Sequence, residues 1–182
     1  MKYVKGLDEK YYGEMIVEID QKFQALHAKL NLYCPGLHLM PTPVTVEGVQ
    51  YPYPLAAQIR EIYLYMIGQR EMPQDIVSML ESICSLIWEN NFLNETFFTI
   101  DWLKWEKTLI GRFVRCTYIR ITLDAGEPIT AKQLALMTGL TPAGIVKAIN
   151  TKRLHGRKIK SEWSIPAEDA TTFIWKHVNT SR

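Results

Sequence analysis

TAKQLALMTGLTPAGIVKAINTKRLHGRKIKSEWSIP, from Thr130 to Pro166, decides the reading of this 182-residue chain. Thr130 is placed to cap a helix that runs through Met137. Its hydroxyl can take a backbone N–H that has no partner inside the helix, and Leu134 and Met137 fall three apart on one face. Gly139 ends that helix, because the chain enters the left-handed region there and glycine does so without a Cβ clash. Leu140 is expected to seal the corner. Thr141 followed by Pro142 is a second start, an N-cap with proline at the first helical position, and the second helix carries Ile145 and Ile149 to about Thr151. Two short helices joined around a glycine make a helix-turn-helix, and Ala135 is the small side chain that such a steep crossing needs. A basic hairpin follows. Ile165-Pro166 ends its last strand, and Ala167 to about Val178 reads as a closing helix that buries Ala170, Phe173 and Ile174.

Ala135, Gly139, Thr141, Ile145, Arg153-Leu154, Arg157-Lys158-Ile159, Trp163 and Ile165-Pro166 form one string of spaced residues. The string resembles the helix-turn-helix of the phage excisionase and MerR-type families, and it covers about the last fifty residues. The resemblance implies a C-terminal winged helix-turn-helix that binds double-stranded DNA. In those families the hairpin after the second helix is a wing tracking the adjacent minor groove, and Arg157 and Lys158 hold that place here. Where relatives often carry Ser, Thr, Arg or Gln, this second helix has Ala143, Gly144 and Val146.

If the second helix enters a major groove, its N-terminal residues and the face opposite Ile145 and Ile149 point at DNA: Thr141, Ala143, Gly144, Lys147 and Asn150. The helix N-terminus at Thr141 would hold a phosphate, Lys147 would reach a guanine edge or the backbone, and Ala143 a thymine methyl. Lys152, Arg153, Arg157, Lys158 and Lys160 then form a basic rim, and Trp163 is assigned to the core. Charge supports the same division. Residues 1–126 hold 12 Lys and Arg against 15 Asp and Glu, a net −3, whereas residues 127–182 hold 9 against 4, a net +5. A basic module joined to a mildly acidic body is the electrostatic footprint of a nucleic-acid binder.

The body, residues 1–126, reads as a helical bundle. Tyr12, Ile16, Ile19, Phe23, Leu26 and Leu30 form a heptad-like seam behind Asp8, and Tyr11 and Met15 widen it toward burial. Pro35, Pro41, Pro43, Pro52 and Pro54 make a long connection, in which VTVEGVQY alternates around Glu47-Gly48 like a small hairpin. A helix from Leu55 to Arg70 and another from Pro73 to Asn90 follow, the latter burying Ile76, Val77, Leu80, Ile83, Cys84, Ile87 and Trp88. A long helix is expected from Glu95 to about Thr122, with Trp102 and Trp105 in the core, ending at Asp124-Ala125-Gly126 as a hinge between domains 1–126 and 127–182. The fold class is therefore mainly α, an N-terminal helical bundle with a C-terminal winged helix-turn-helix.

Other functions find little in the sequence. No glycine-rich phosphate loop, HExxH, Cys-x2-Cys or Gly-x-Ser-x-Gly is present, so an enzyme has no support and no cofactor is expected. Cys34 and His38 lack a second pair to complete a metal site, and Cys34, Cys84 and Cys116 read as reduced thiols. With no apolar run long enough to span a membrane and no apolar signal core, a cytoplasmic protein is expected. The expected partners are double-stranded DNA and, through the body, a second copy or another protein. Transcriptional or mobile-element regulation (excision or recombination) is the first reading. The alternative is an interaction protein of a phage, plasmid or defence assembly, whose winged domain grips DNA weakly or contacts another protein.

Overall fold

The computed structural model describes residues 2–36, 42–87, 105 and 107–179. Among the described residues the order is α1 (Glu9–Tyr33), β1 (Val44–Val46), β2 (Val49–Tyr51), α2 (Pro54–Met66), α3 (Ile76–Ile87), α4 (Leu109–Asp124), β3 (Ile129–Thr130), α5 (Ala131–Thr138), α6 (Pro142–Asn150), β4 (Arg157–Ile159), β5 (Glu162–Ile165) and α7 (Ala167–Val178). The protein is mostly helical, with two small antiparallel sheets. No described helix is long and apolar enough to cross a membrane.

Two compact units are present: Met1–Asp8 with Leu64–Glu71 and Phe113–Arg182, and Glu9–Tyr63 with Met72–Arg112. The division therefore does not fall at residue 126. The Asp124 carboxylate accepts from the Tyr65 hydroxyl at 2.5 Å and from Arg120 Nε at 3.2 Å, so the supposed hinge is anchored inside the first unit.

In the second unit, α1 buries Met15 and Ile19 completely, while Tyr12, Ile16, Phe23 and Leu30 are only half-buried. The seam is thus shifted toward Met15. Tyr12 packs against Tyr63 with centroids 5.1 Å apart, and the Arg60 guanidinium lies 5.0 Å from each ring centre while pairing with Glu9 at 2.7 Å. Burial pushes the Tyr12 phenol up to about 12, against the opposing pull of Arg60. Tyr53 donates to Asp20 at 2.7 Å, and burial followed by that hydrogen bond raises its phenol further. The β1–β2 hairpin turns at Glu47 and Gly48, both at positive φ, where the alternation placed it. On α3, Val77 is 49% exposed rather than buried, because it lies off the Ile76, Leu80 and Ile83 face.

The expected helix from Glu95 is not continuous into α4. Lys107 and Thr108 form a turn, and the Thr108 hydroxyl accepts from the Gly111 N–H at 3.1 Å, which caps a helix starting at Leu109. Trp88, Glu95, Trp102 and His38 lie outside the described residues, whereas Trp105 is buried.

In the first unit, α5, α6 and α7 surround Leu134, Met137, Ile145, Ile165, Ala170 and Ile174, all sealed from solvent. The sheet order is β3-β5-β4, antiparallel throughout. Ile129 pairs with Ile165, and Arg157, Lys158 and Ile159 pair with Ser164, Trp163 and Glu162. The strand β3 escaped the sequence reading because two residues, Ile129 and Thr130, show no period. On α7, Glu168 and Asp169 open the helix and Lys176 and His177 close it, each matching the sign of the helix dipole.

Candidate nucleic-acid interface

The corner forms for the reasons its residues supply. Thr130 and Gln133 make a reciprocal capping box, with Gln133 N–H to Thr130 Oγ1 at 3.2 Å and Thr130 N–H to Gln133 Oε1 at 2.7 Å. Gly139 takes φ 70°, and its N–H closes α5 on the Ala135 carbonyl at 2.9 Å. Ala135 is 4% exposed, a small side chain where the helices meet. Leu140 does not seal the corner: it is 37% exposed.

Thr141 caps α6 by accepting the Gly144 N–H at 3.1 Å. Pro142 has no N–H, and Ile145 donates to the Thr141 carbonyl at 3.1 Å. Among the described residues, this leaves the Ala143 N–H as the first-turn donor for an incoming phosphate, fewer than a bare helix end offers. Ile145, Ala148 and Ile149 are buried, which turns Ala143, Lys147 and Asn150 outward with Gly144 partly exposed beside them. These residues and Thr141 therefore share an open surface. It is poor in hydrogen-bonding side chains.

The helix end carries more than the sequence disclosed. Lys152 adopts φ 58°, its N–H reaches the Ile149 carbonyl at 2.9 Å, and the Arg153 N–H reaches the Ala148 carbonyl at 2.9 Å. That is a Schellman ending with lysine where glycine is usual. Thr151 accepts from Arg153 Nε at 3.1 Å and so orients the guanidinium. Gly156 sits in a tight place. A Cβ there would lie 3.0 Å from Ile149 Cδ1 and 3.4 Å from the Ser164 carbonyl, so the chain enters the hairpin hard against α6.

In the hairpin Arg157, Lys158 and Ile159 are all exposed, and the two-residue turn Lys160-Ser161 puts Lys160 at φ 55°. Strand geometry separates one expected pair: successive side chains point to opposite faces, so Arg157 and Lys158 do not face the same way. Trp163 is half-buried rather than a full core residue. Glu162 pairs with Lys132 of α5 at 3.8 Å, both well exposed, a tie between hairpin and helix that contributes little stability.

Arg120 was also missed. Its side chain is 9% exposed, Nη1 donates to the Tyr65 carbonyl at 3.1 Å, and the guanidinium sits 3.2 Å from the Tyr3 ring centre and 4.3 Å from that of Tyr65. With Asp124 this satisfies a charge that burial would otherwise make costly. Burial, then the hydrogen bond to Asp124, raises the Tyr65 phenol above its usual value.

Comparison with protein-family models, with curated proteins and with solved structures finds no match.

Proposed function

We propose that the chain binds double-stranded DNA, with α6 in a major groove and the β4–β5 hairpin beside it as the wing of a winged helix-turn-helix, and that it regulates transcription or the excision or recombination of a mobile element. The observation that carries this reading is the stretch from residue 128 to 161, which holds seven Lys and Arg and no Asp or Glu on a two-helix corner followed by an exposed hairpin. Two of those lysines, Lys152 and Lys160, occupy left-handed backbone where glycine would be easier. Retained strain at two exposed cationic positions of one basic stretch is what a phosphate-binding role would select.

A second reading is favoured by the α6 surface itself. Ala143 and Gly144 offer no side-chain hydrogen bond, and each good bidentate base contact adds only about 1–3 kcal/mol of discrimination. Such a module would serve an assembly, holding DNA weakly or touching another protein. Useful sequence preference from this α6 calls instead for two copies on one site, paired through residues 1–126, with half-sites about one helical turn, roughly 34 Å, apart. Selection of bound duplexes from a random pool tests the choice. An enriched, two-fold symmetric sequence supports the regulator, and recovery of unenriched DNA supports the weak-gripping assembly protein.

A further inference from the structure

We infer that Thr151 is a positioning residue of the DNA interface: its hydroxyl sets the Arg153 guanidinium to grip one backbone phosphate with two N–H donors. The inference rests on the DNA-binding reading above, and it gives a role to a residue that the sequence marks only as the end of α6. Thr151 lies four residues after Lys147 and eight after Ala143, so it continues the outward face of α6, and all three are exposed. Its hydroxyl has a fixed sense. The proton is donated to the Lys147 carbonyl at 2.9 Å, with the Ala148 carbonyl at 3.3 Å, which leaves the oxygen lone pairs to accept from Arg153 Nε at 3.1 Å. The left-handed Lys152 between the two residues, at φ 58°, reverses the chain and brings Arg153 back over Thr151.

The fold makes no other use of this cation. The carbonyls at the end of α6 are already taken: the Thr151 N–H reaches Lys147 at 3.0 Å, the Lys152 N–H reaches Ile149 at 2.9 Å and the Arg153 N–H reaches Ala148 at 2.9 Å. The guanidinium is therefore not needed as a helix cap, and among the described residues no carboxylate pairs with it. With Nε held by Thr151, the two terminal nitrogens remain as a fork, the geometry that meets a phosphate with two charge-assisted hydrogen bonds. A groove-docked helix reads base edges with its N-terminal residues, whereas its far end runs against the backbone, so a phosphate rather than a base is the partner of Arg153. An arginine that samples its rotamers freely must be ordered when it binds. Here the hydroxyl has ordered it beforehand.

The test is a double-mutant cycle on the full-length protein, with affinity for a mixed-sequence duplex followed by fluorescence anisotropy over a salt series. Thr151→Val keeps the branched shape and every charge. It should weaken binding by a factor of about two to ten, the cost of ordering one long side chain, at an unchanged log–log salt slope. Thr151→Ser, which keeps the hydroxyl, should bind as the wild type does. In an Arg153→Lys background, where the charge remains and the fork is gone, Thr151→Val should have no further effect. An equal loss in both backgrounds would make Thr151 a helix cap only, and no loss in either would leave Arg153 unguided; each result overturns the inference while leaving the DNA reading intact. Should Thr151→Val fail to fold, Arg153→Lys alone decides: weaker binding at the wild-type slope is expected, and wild-type affinity would overturn the inference. A wild-type protein with no salt-dependent binding would overturn both readings.

Discussion

The Arg120 guanidinium lies over the ring of Tyr3, 3.2 Å from its centre, and is the buried cation around which the first unit joins the N-terminal arm to the end of α4. The unit therefore includes residues that no reading confined to its basic end would contain. A fragment of residues 127–182 lacks Tyr3, Val4, Leu7, Tyr65 and Arg120.

Deleting residues 1–8 from the full chain should destabilise the first unit. Val4 and Leu7 are 4% and 3% exposed, and burying such a side chain stabilises by about 1.5–3 kcal/mol each as an upper bound. Thermal denaturation should show a melting temperature lower by several degrees, or no cooperative transition. An unchanged melt would mean that the arm contributes nothing.

Asp124→Ala should also destabilise the unit, because it strips the buried guanidinium of its carboxylate; Asp124 itself is exposed, so the loss should be about 1.5 kcal/mol rather than that of a fully buried pair. Urea denaturation of the full chain measures it. A loss below about 0.5 kcal/mol would match a surface pair and contradict the buried network.

Lys152→Gly and Lys160→Gly should move stability and DNA binding in opposite directions. Relief of the left-handed strain, about 1–2 kcal/mol, outweighs the backbone entropy that glycine adds, about 0.5–1 kcal/mol, so each variant should be more stable by roughly 0.5 kcal/mol. Each should also bind duplex DNA more weakly, having lost a charge. Lower stability in both would show that these lysines are not strained where they stand.

For the wing, replacing both Arg157 and Lys158 by Ala should flatten the salt slope by about one to two units with folding preserved. Because the strand turns the two side chains to opposite faces, the single variants should differ, one carrying most of the effect. Equal effects would place the hairpin otherwise than along a groove.

Alkaline pH should weaken the fold. Tyr12, Tyr53 and Tyr65 all have phenols raised above the ordinary 10.0, so the folded chain holds their protons more tightly than the unfolded chain does. That stabilisation is complete below pH 10 and is lost as pH rises, through about 12 for Tyr12. Urea midpoints measured across this window should fall steadily, and a flat profile would contradict the burial of these hydroxyls.

What the sequence made legible is what short-range chemistry specifies. The Thr130 and Thr141 caps, the left-handed Gly139, the Glu47-Gly48 turn and the Ala170, Phe173 and Ile174 face all depend on neighbours within a few positions, and all are where the spacing puts them. The Lys5 bond to Met137, the Arg120 contact with Tyr3 and the β3–β5 pairing join residues distant in sequence, and no local period encodes them. The left-handed Lys152 was hidden for another reason: the position asks for glycine, and the chain supplies lysine. The candidate surface was legible as a charge pattern. Its division into faces, with Arg157 and Lys158 apart and Arg153 held by Thr151, needed coordinates.

The central claim, that this basic surface binds duplex DNA, is tested most directly by the salt dependence of affinity of the full-length protein for a mixed-sequence duplex. Each neutralised phosphate adds about 0.9 to the slope, so an interface using several of Lys147, Lys152, Arg153, Arg157, Lys158 and Lys160 should give a slope of about −4 or steeper. Affinity that is absent, or that does not change with salt, would contradict the account.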